Sequence, residues 1–281
     1  MQVVQSPQAL REAVAQLRQK GKVAFVPTMG NLHDGHLQLI SAALEQADAV
    51  VASIFVNPMQ FGQGEDFEKY PRTHQQDIDK LTAAGCDLLF LPEVKTIYPV
   101  PMEQHTKVEV PGISNILCGE SRPGHFVGVA TIVCKLFNLV MPDLAVFGEK
   151  DFQQLMVIRL MVRDLCMPLD IVGVPIVREV DGLAMSSRNG YLNQAQRASA
   201  SMLYKQLQHL AEQVKQPGVD FSRLEQQFTD EMNNNGFETD YIAIRRQQDL
   251  QHPQSSDNQL VILAAAKLGN TRLIDNLLVN I

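Results

Sequence analysis

A chain of 281 residues is long for a single hydrophobic core and suits two domains. Its formal net charge of −7 argues against the strongly basic surface of many nucleic-acid-binding proteins, so we expect no nucleic-acid partner. Neither a signal-like start nor an apolar run long enough to cross a membrane is present, and we therefore expect a cytoplasmic protein with no membrane partner.

The first part of the chain alternates helix-like and strand-like segments. Ser6-Pro7, followed by Leu10, Val14 and Leu17, predicts a capped helix with proline in its first position. Apolar runs typical of buried strands lie at residues 23–26, 49–56, 87–91, 144–147 and 170–177. Further helices are predicted after residue 36 and at residues 75–84, 127–140 and 152–164. This alternation predicts a parallel sheet.

Three connecting segments in this part of the chain lack such periodicity. Residues 63–73 are polar and are interpreted as an excursion from the fold. Residues 95–109 contain proline and are predicted to be irregular. Residues 118–126 contain several turn-forming residues, so we expect a loop there.

The pattern changes after residue 177. Two polar helices are predicted at residues 194–214 and 221–234, and strand-like runs follow at residues 239–246, 259–268 and 271–281. Two helices followed by three strands are typical of a small α+β domain. The predicted fold is therefore α/β, with a Rossmann-like doubly wound parallel sheet over residues 1–176 and a smaller C-terminal α+β domain over residues 177–281.

The most informative segment is Pro27-Thr28-Met29-Gly30-Asn31-Leu32-His33-Asp34-Gly35-His36. It lies between the first strand and a helix whose apolar side is predicted to be Leu37, Ile40 and Leu44. Its glycines allow a tight turn, and the first N–H groups of the helix attract anions. A surface turn with two exposed histidines is the alternative. The position between a buried strand and an amphipathic helix favours a phosphate-binding loop.

Five segments in the same order resemble one enzyme family. They are P-T-M-G-x-L-H-x-G-H, V-N-P-x-Q-F, C-G-x-x-R-P-G-H-F-x-G-V, G-E-K-D-x-Q-Q and M-S-S-R-N-x-Y-L. Together they resemble the pantothenate synthetase (pantoate–β-alanine ligase) family of the nucleotidylyltransferase superfamily. The resemblance implies ATP-dependent condensation of (R)-pantoate with β-alanine through a pantoyl adenylate, with AMP and pyrophosphate as by-products. It also implies a homodimer.

The resemblance assigns roles to individual residues. His33, His36, Lys150 and Arg188 would be catalytic. The residues expected to bind ATP are Met29, Gly30, Asn31, Leu32, His33, Asp34, Gly35, His36, Gly148, Glu149, Lys150, Asp151, Val177, Met185, Ser186, Ser187 and Arg188. Gln60 and Gln154 would bind pantoate, and Gln60 would also lie near β-alanine.

Each assignment has a structural alternative. The alternative for Lys150 is an ordinary lysine exposed to solvent. The alternative for Ser186-Ser187-Arg188 is a turn that caps a helix. Most glutamines lie on protein surfaces, so only the family motif distinguishes Gln60 and Gln154. For Arg122 and His125, a structural turn and direct substrate contact are nearly equal alternatives, and neither residue is included in the site.

No metal ligands are assigned, although Mg²⁺ is expected with ATP. The sequence has no carboxylate pair beside the phosphate motifs, which predicts that phosphates and water hold the ion. Cys86, Cys118, Cys134 and Cys166 form no C-x-x-C pair or Cys/His cluster, which argues against structural zinc. Two other functions remain alternatives: a nucleotidylyltransferase acting on another small substrate, and a non-catalytic nucleotide-binding module.

Overall fold

The computed structural model describes residues 1–62, 64–254 and 256–281, which form two compact units. The first unit contains Met1–Glu149 and Gln154–Pro175, and the second contains Lys150–Gln153 and Ile176–Ile281. Gln63, the first residue of the predicted polar excursion, lies outside the described residues. Among the helices described, none is long and apolar enough to cross a lipid bilayer.

A parallel sheet is the centre of the first unit. Its strands are β1 (Gln2–Val4), β2 (Val23–Thr28), β3 (Ala49–Ile54), β4 (Leu88–Phe90), β5 (Leu144–Gly148) and β6 (Asp170–Val174). Among the described residues, the sheet has six strands in the order β1-β4-β3-β2-β5-β6. β2 and β3 pair in parallel, as predicted. Every residue of β3 is buried, which explains its continuous apolar sequence.

Helices connect these strands. They are α1 (Pro7–Leu17), α2 (Asp34–Leu44), α3 (His74–Ala83), α4 (Val94–Ile97), α5 (Cys118–Ser121), α6 (His125–Val140) and α7 (Phe152–Asp164). The hydroxyl of Ser6 accepts the backbone N–H of Ala9 and caps α1, as the sequence predicts. Helices between parallel strands confirm the predicted α/β class.

Several short elements differ from the sequence prediction. β1 is not predicted, because three residues are too few to show a period. α4 occupies the start of a segment predicted to be irregular, and α5 lies within the predicted loop at residues 118–126. α6 then begins at His125 instead of residue 127. The predictions for the residues of α4, of α5 and of the start of α6 are therefore wrong. Glycine and proline in these segments favoured a loop prediction over a short helical turn.

The buried side of α2 is only partly as predicted. Ile40 is buried, together with Leu39 and Ala43, whereas Leu44 is 41% exposed. The small side chain of Ala43 therefore occupies the core-facing position that the spacing had assigned to Leu44. The helix also ends at Leu44, which leaves the last residue of the predicted apolar side at its terminus.

The second unit pairs helices with an antiparallel sheet. Its described elements are α8 (Gln194–Ala200), α9 (Met202–Val214), α10 (Phe221–Asn234), β7 (Glu238–Arg246), β8 (Gln259–Leu268) and β9 (Thr271–Asn280). The strands lie in the order β7-β8-β9, which confirms the predicted α+β class. The prediction of a single helix at residues 194–214 is wrong, because the helix is interrupted at Ser201. Ala200 and Leu203, on either side of the interruption, both lie in the core of this unit.

The order of the parallel strands defines a switch point between β2 and β5. From β2 the chain proceeds to β3 and β4 on one side, and from β5 it proceeds to β6 on the other. In sheets of this type, ligands bind beyond the carboxyl ends of the strands at such a point. The predicted motif begins with the last two residues of β2 and continues beyond its carboxyl end, and Gly148 ends β5.

Candidate active site

The turn after β2 requires a glycine. Gly30 has φ of +83° and Asn31 has φ of +51°. A Cβ atom at Gly30 would lie 2.9 Å from Cγ2 of Ile54 on β3, so a larger residue would collide with the neighbouring strand. The backbone N–H of Gly30 donates to the hydroxyl of Thr28 at 3.2 Å. These contacts direct the chain from β2 into α2 within a few residues.

The two predicted histidines lie together at the start of α2. His33 is the residue before the helix, and its backbone N–H donates to Nδ1 of His36 at 3.3 Å. The centroids of the two imidazole rings are 4.1 Å apart. Because Nδ1 of His36 accepts this bond, the proton of the neutral ring belongs on Nε2. His36 can therefore offer an Nε2–H donor, and Asp34 and Gly35 form the first turn beside it.

Asp77 on α3 holds the turn that precedes the histidines. Its buried carboxylate accepts the backbone N–H groups of Asn31 at 2.9 Å and Leu32 at 2.8 Å. These two N–H groups thus already have an acceptor, and the side chain of Leu32 is part of the core. Sequence reasoning missed Asp77, because nothing in the polar helix distinguishes it from Asp79.

Gln60 is buried rather than on the surface. The side chain amide of Asn57 donates to Oε1 of Gln60 at 3.1 Å, and Nε2 of Gln60 donates to Sδ of Met29 at 3.1 Å. The hydroxyl of Tyr98 donates to Oδ1 of Asn57 at 2.7 Å, and burial raises the pKa of Tyr98. The structure thus brings Met29 and Gln60 together, and Asn57 fixes which way the Gln60 amide faces. The predicted loop motif contains Asn57, but no sequence signal indicated Tyr98.

Close packing of α6 supports this arrangement. A Cβ atom at Gly128 would lie 2.4 Å from the carbonyl oxygen of Met59, so only glycine permits the approach. The carbonyl of Gly128 accepts a hydrogen bond from the side chain amide of Asn57 at 3.1 Å. The segment that carries Gln60 is therefore fixed against α6 through backbone as well as side chain atoms.

Arg122 and His125 contact the same segment. The guanidinium of Arg122 binds both carboxylate oxygens of Glu65 at 2.6 Å, and Nδ1 of His125 lies 2.8 Å from the carbonyl oxygen of Gln60. Partial burial raises the pKa of Glu65, but hydrogen bonding and charge from Arg122 outweigh burial and lower the pKa below its usual value. Both residues thus have partners that suit the structural alternative. Gln154, the other predicted pantoate residue, is half-buried near the start of α7.

In the second unit, Lys150 is fixed through its backbone. It lies between Glu149 and Asp151 in a single 3₁₀ turn after β5. The side chain amide of Asn276 on β9 donates to the carbonyl oxygen of Lys150 at 3.0 Å. Asn276 is buried, and no motif in the sequence singles it out.

Asp275, the residue before Asn276 on β9, holds the segment that contains Val177. Asp275 forms a bidentate ion pair with Arg178, with N–O distances of 2.7 and 2.9 Å. The guanidinium carbon of Arg178 also lies 3.6 Å from the centroid of the Tyr204 ring. The carbonyl of the preceding residue, Val177, accepts the backbone N–H of Met185 at 3.0 Å. The two predicted ATP-binding residues Val177 and Met185 are therefore paired.

The Ser186–Arg188 segment is a tight turn. The backbone N–H of Arg188 donates to the hydroxyl of Ser186 at 3.2 Å, and the N–H of Asn189 donates to the carbonyl of Ser186 at 3.0 Å. The turn follows Met185 directly and includes Ser187. In the parts of the chain that the structure describes, no group of three or more His, Cys, Asp or Glu side chains is placed to hold a metal ion.

Comparison with known proteins identifies the family. A family model described as pantoate-beta-alanine ligase matches residues 2–278. The chain belongs to the pantoate–β-alanine ligase family. It is 57% identical to the pantothenate synthetase of Pseudomonas entomophila strain L48, covering 99% of this chain and 97% of that protein. It is 56% identical to that of Ectopseudomonas mendocina strain ymp, covering 100% and 99%.

Solved structures of this ligase family have the same fold. The pantothenate synthetase of Thermus thermophilus matches with a TM-score of 0.91 and 44% identity over 99% of both chains. The pantoate-beta-alanine ligase of Francisella tularensis, complexed with β-γ ATP and β-alanine, matches with a TM-score of 0.83 and 35% identity. That match covers 99% of this chain and 97% of the other. The predicted family, fold class and ligase activity are confirmed.

The contact between Asn276 and Lys150 makes a testable prediction for the ligase. On the prediction that Lys150 binds ATP, Asn276→Ala, which removes the donor to the Lys150 carbonyl, should cost about 1 kcal/mol and weaken ATP binding roughly fivefold. Asn280→Ala, an exposed position on the same strand, serves as the control and should behave as the unaltered protein. The KM for ATP of the two variants gives the comparison. Equal values for both would contradict a positioning role for Asn276.

Proposed function

We propose that the chain condenses (R)-pantoate with β-alanine to give pantothenate, through a pantoyl adenylate and with release of AMP and pyrophosphate. The observation that carries the adenylate step is the pairing of His33 and His36 at the start of α2, beyond the carboxyl end of β2. The homologous structure from Francisella tularensis, which is complexed with β-γ ATP and β-alanine, supports these two substrates. In our proposal, residues 1–176 bind ATP and pantoate, and residues 177–281 form a lid.

The first step needs charge stabilisation more than a base. A carboxylic acid with an ordinary pKa of about 4 is ionised at neutral pH, so the pantoate carboxylate can attack the α-phosphorus directly. The bond from that phosphorus to the bridging oxygen breaks, and pyrophosphate leaves with the electron pair. The Nε2–H of His36, the opening of α2, and the cations Lys150 and Arg188 would stabilise the negative charge that develops.

Neutral amides suit the binding of pantoate. Gln60 and Gln154 can hydrogen-bond the hydroxyl and carboxylate groups without forming an ion pair that would weaken the nucleophile. The fixed orientation of Gln60 supports this role, since Asn57 occupies its Oε1 and leaves the Nε2 protons to face Met29 and a ligand. The thioether and methyl of Met29 would contact the dimethyl carbon of pantoate.

In the second step, the neutral amine of β-alanine attacks the carbonyl carbon of the adenylate. The new C–N bond replaces the bond to the phosphate oxygen, AMP leaves, and the amine proton passes to solvent or phosphate. Gln60 would lie near β-alanine at this stage. Mg²⁺ would be held by the phosphates of ATP and by water.

The proposed order of steps predicts a partial reaction. Labelled pyrophosphate should exchange into ATP in the presence of pantoate and without β-alanine, because the nucleophile needs no help from the amine. Lys150→Ala and His36→Ala should each suppress this exchange. Exchange that appears only with β-alanine, or a pantoyl phosphate product with ADP, would contradict the adenylate mechanism. Exchange with a different small acid but not with pantoate would overturn pantoate as the substrate but would still support the adenylate mechanism.

Gln154→Ala should weaken pantoate binding and leave ATP binding nearly unchanged. Losing one or two uncharged hydrogen bonds should cost about 1–3 kcal/mol. Isothermal titration calorimetry with each substrate measures the two affinities separately. Gln8→Ala, at an exposed position on α1, is the matched control. A loss of ATP affinity instead would assign Gln154 to the nucleotide.

We also propose that the protein is a cytoplasmic homodimer, with the region of residues 118–140 near the interface. The resemblance to the family supports this assembly. Static light scattering at micromolar concentration should give about twice the chain mass of 31.3 kDa. A mass equal to that of one chain would rule the dimer out.

A further inference from the structure

One helix holds both sides of the turn that precedes the histidines. Asp77 on α3 accepts the N–H of Asn31 through Oδ2 at 2.9 Å and the N–H of Leu32 through Oδ1 at 2.8 Å. Lys80, one helical turn later, donates from Nζ to the carbonyl oxygen of Leu32 at 2.5 Å. The peptide groups before and after Leu32 are therefore both bonded to α3.

The Asp77 carboxylate is fully buried. Its negative charge is therefore stabilised by the hydrogen bonds that it accepts from the protein. Besides the two N–H groups, the hydroxyl of Thr73 donates to Oδ2 at 3.1 Å. A buried carboxylate without such donors would be costly. Asn31 has a positive φ, a conformation that asparagine adopts more readily than most residues other than glycine. The carboxylate and this turn therefore stabilise each other in a single conformation.

Successive backbone N–H groups that converge on one acceptor form an anion-binding concavity, which in other proteins binds phosphate. Here the N–H groups of Asn31 and Leu32 converge on a carboxylate of the same chain. An anion of the protein thus occupies the turn. The next N–H along the chain, that of His33, donates to Nδ1 of His36, and the N–H groups that follow belong to the first turn of α2.

We propose that Asp77 is a positioning residue for ATP: it fills the anion site of the turn and so confines the phosphates to the start of α2. Its role rests on the proposed function, because it assumes that α2 binds the phosphates of ATP. Asp77 need not touch ATP for this role. Removing its charge should therefore affect ATP far more than pantoate.

Asp77→Asn keeps the size of the side chain and tests the idea directly. The carboxamide can still accept one N–H, but its NH₂ group would face the other, so a donor would meet a donor. Affinity for a non-hydrolysable ATP analogue should fall about tenfold to a hundredfold, and pyrophosphate exchange should slow, whereas pantoate affinity should stay within about twofold. Amide hydrogen exchange at Asn31 and Leu32 should accelerate.

Asp79→Asn is the matched control. It makes the same chemical change on the same helix, at an exposed residue that accepts only from the Gln75 side chain among the bonds described. It should leave ATP affinity, pantoate affinity and amide exchange unchanged. Asp77→Asn with ordinary ATP affinity, or with equal losses of ATP and pantoate affinity, would overturn the proposal.

Thr73→Val keeps the test decisive if Asp77→Asn does not fold. It removes one donor to Asp77 and preserves the branched shape, so ATP affinity should fall about three- to fivefold. Unchanged ATP affinity in a folded Thr73→Val protein would refute the role of Asp77. Binding of the ATP analogue is measured without turnover, so it tests the role of Asp77 separately from the reaction. If the unaltered protein shows no pyrophosphate exchange, only the proposed reaction is refuted.

Discussion

The sharp turn from β2 into α2 is the constraint on which the site depends. β2 lies between two parallel neighbours, and Ile54 on one of them leaves no room for a side chain at Gly30. The chain turns there with positive φ angles at Gly30 and Asn31, and the N–H groups of Asn31 and Leu32 point toward one acceptor. Asp77 accepts them, and the start of α2 is fixed as a result. The position of both histidines follows from that single conformation.

Buried side chain amides also fix the positions of predicted site residues in other parts of the molecule. Asn57 is held by Tyr98 and in turn fixes Gln60, while Asn276 fixes the backbone of Lys150. An amide with its donors and acceptors satisfied has one favourable orientation inside a protein, because any rotation would leave a buried polar group unpaired. Such residues need not contact a substrate. They would determine where the groups proposed to contact the substrates are held before binding.

Much of this structure could be predicted from the sequence, and the omissions have physical causes. Long periodic elements were evident, and α7 has the predicted bounds. β1 and α5, with three and four residues, are too short for a repeating pattern to be recognised in the sequence. In the site, motifs identified the residues expected to touch substrate. Asp77 and Asn276 were missed because their partners are backbone groups distant in sequence, and no local pattern records such contacts.

The chemical types of the proposed site residues match the needs of adenylation. Those assigned to pantoate in the first unit, Gln60 and Gln154, are neutral amides, and the bond from His33 leaves His36 a neutral Nε2–H donor. A cation paired with the pantoate carboxylate would lower its nucleophilicity. The cations assigned to ATP, Lys150 and Arg188, belong to the second unit. In the proposed mechanism, neutral donors would keep the nucleophile reactive, and the full charges would act on the phosphates, whose leaving group carries the developing charge.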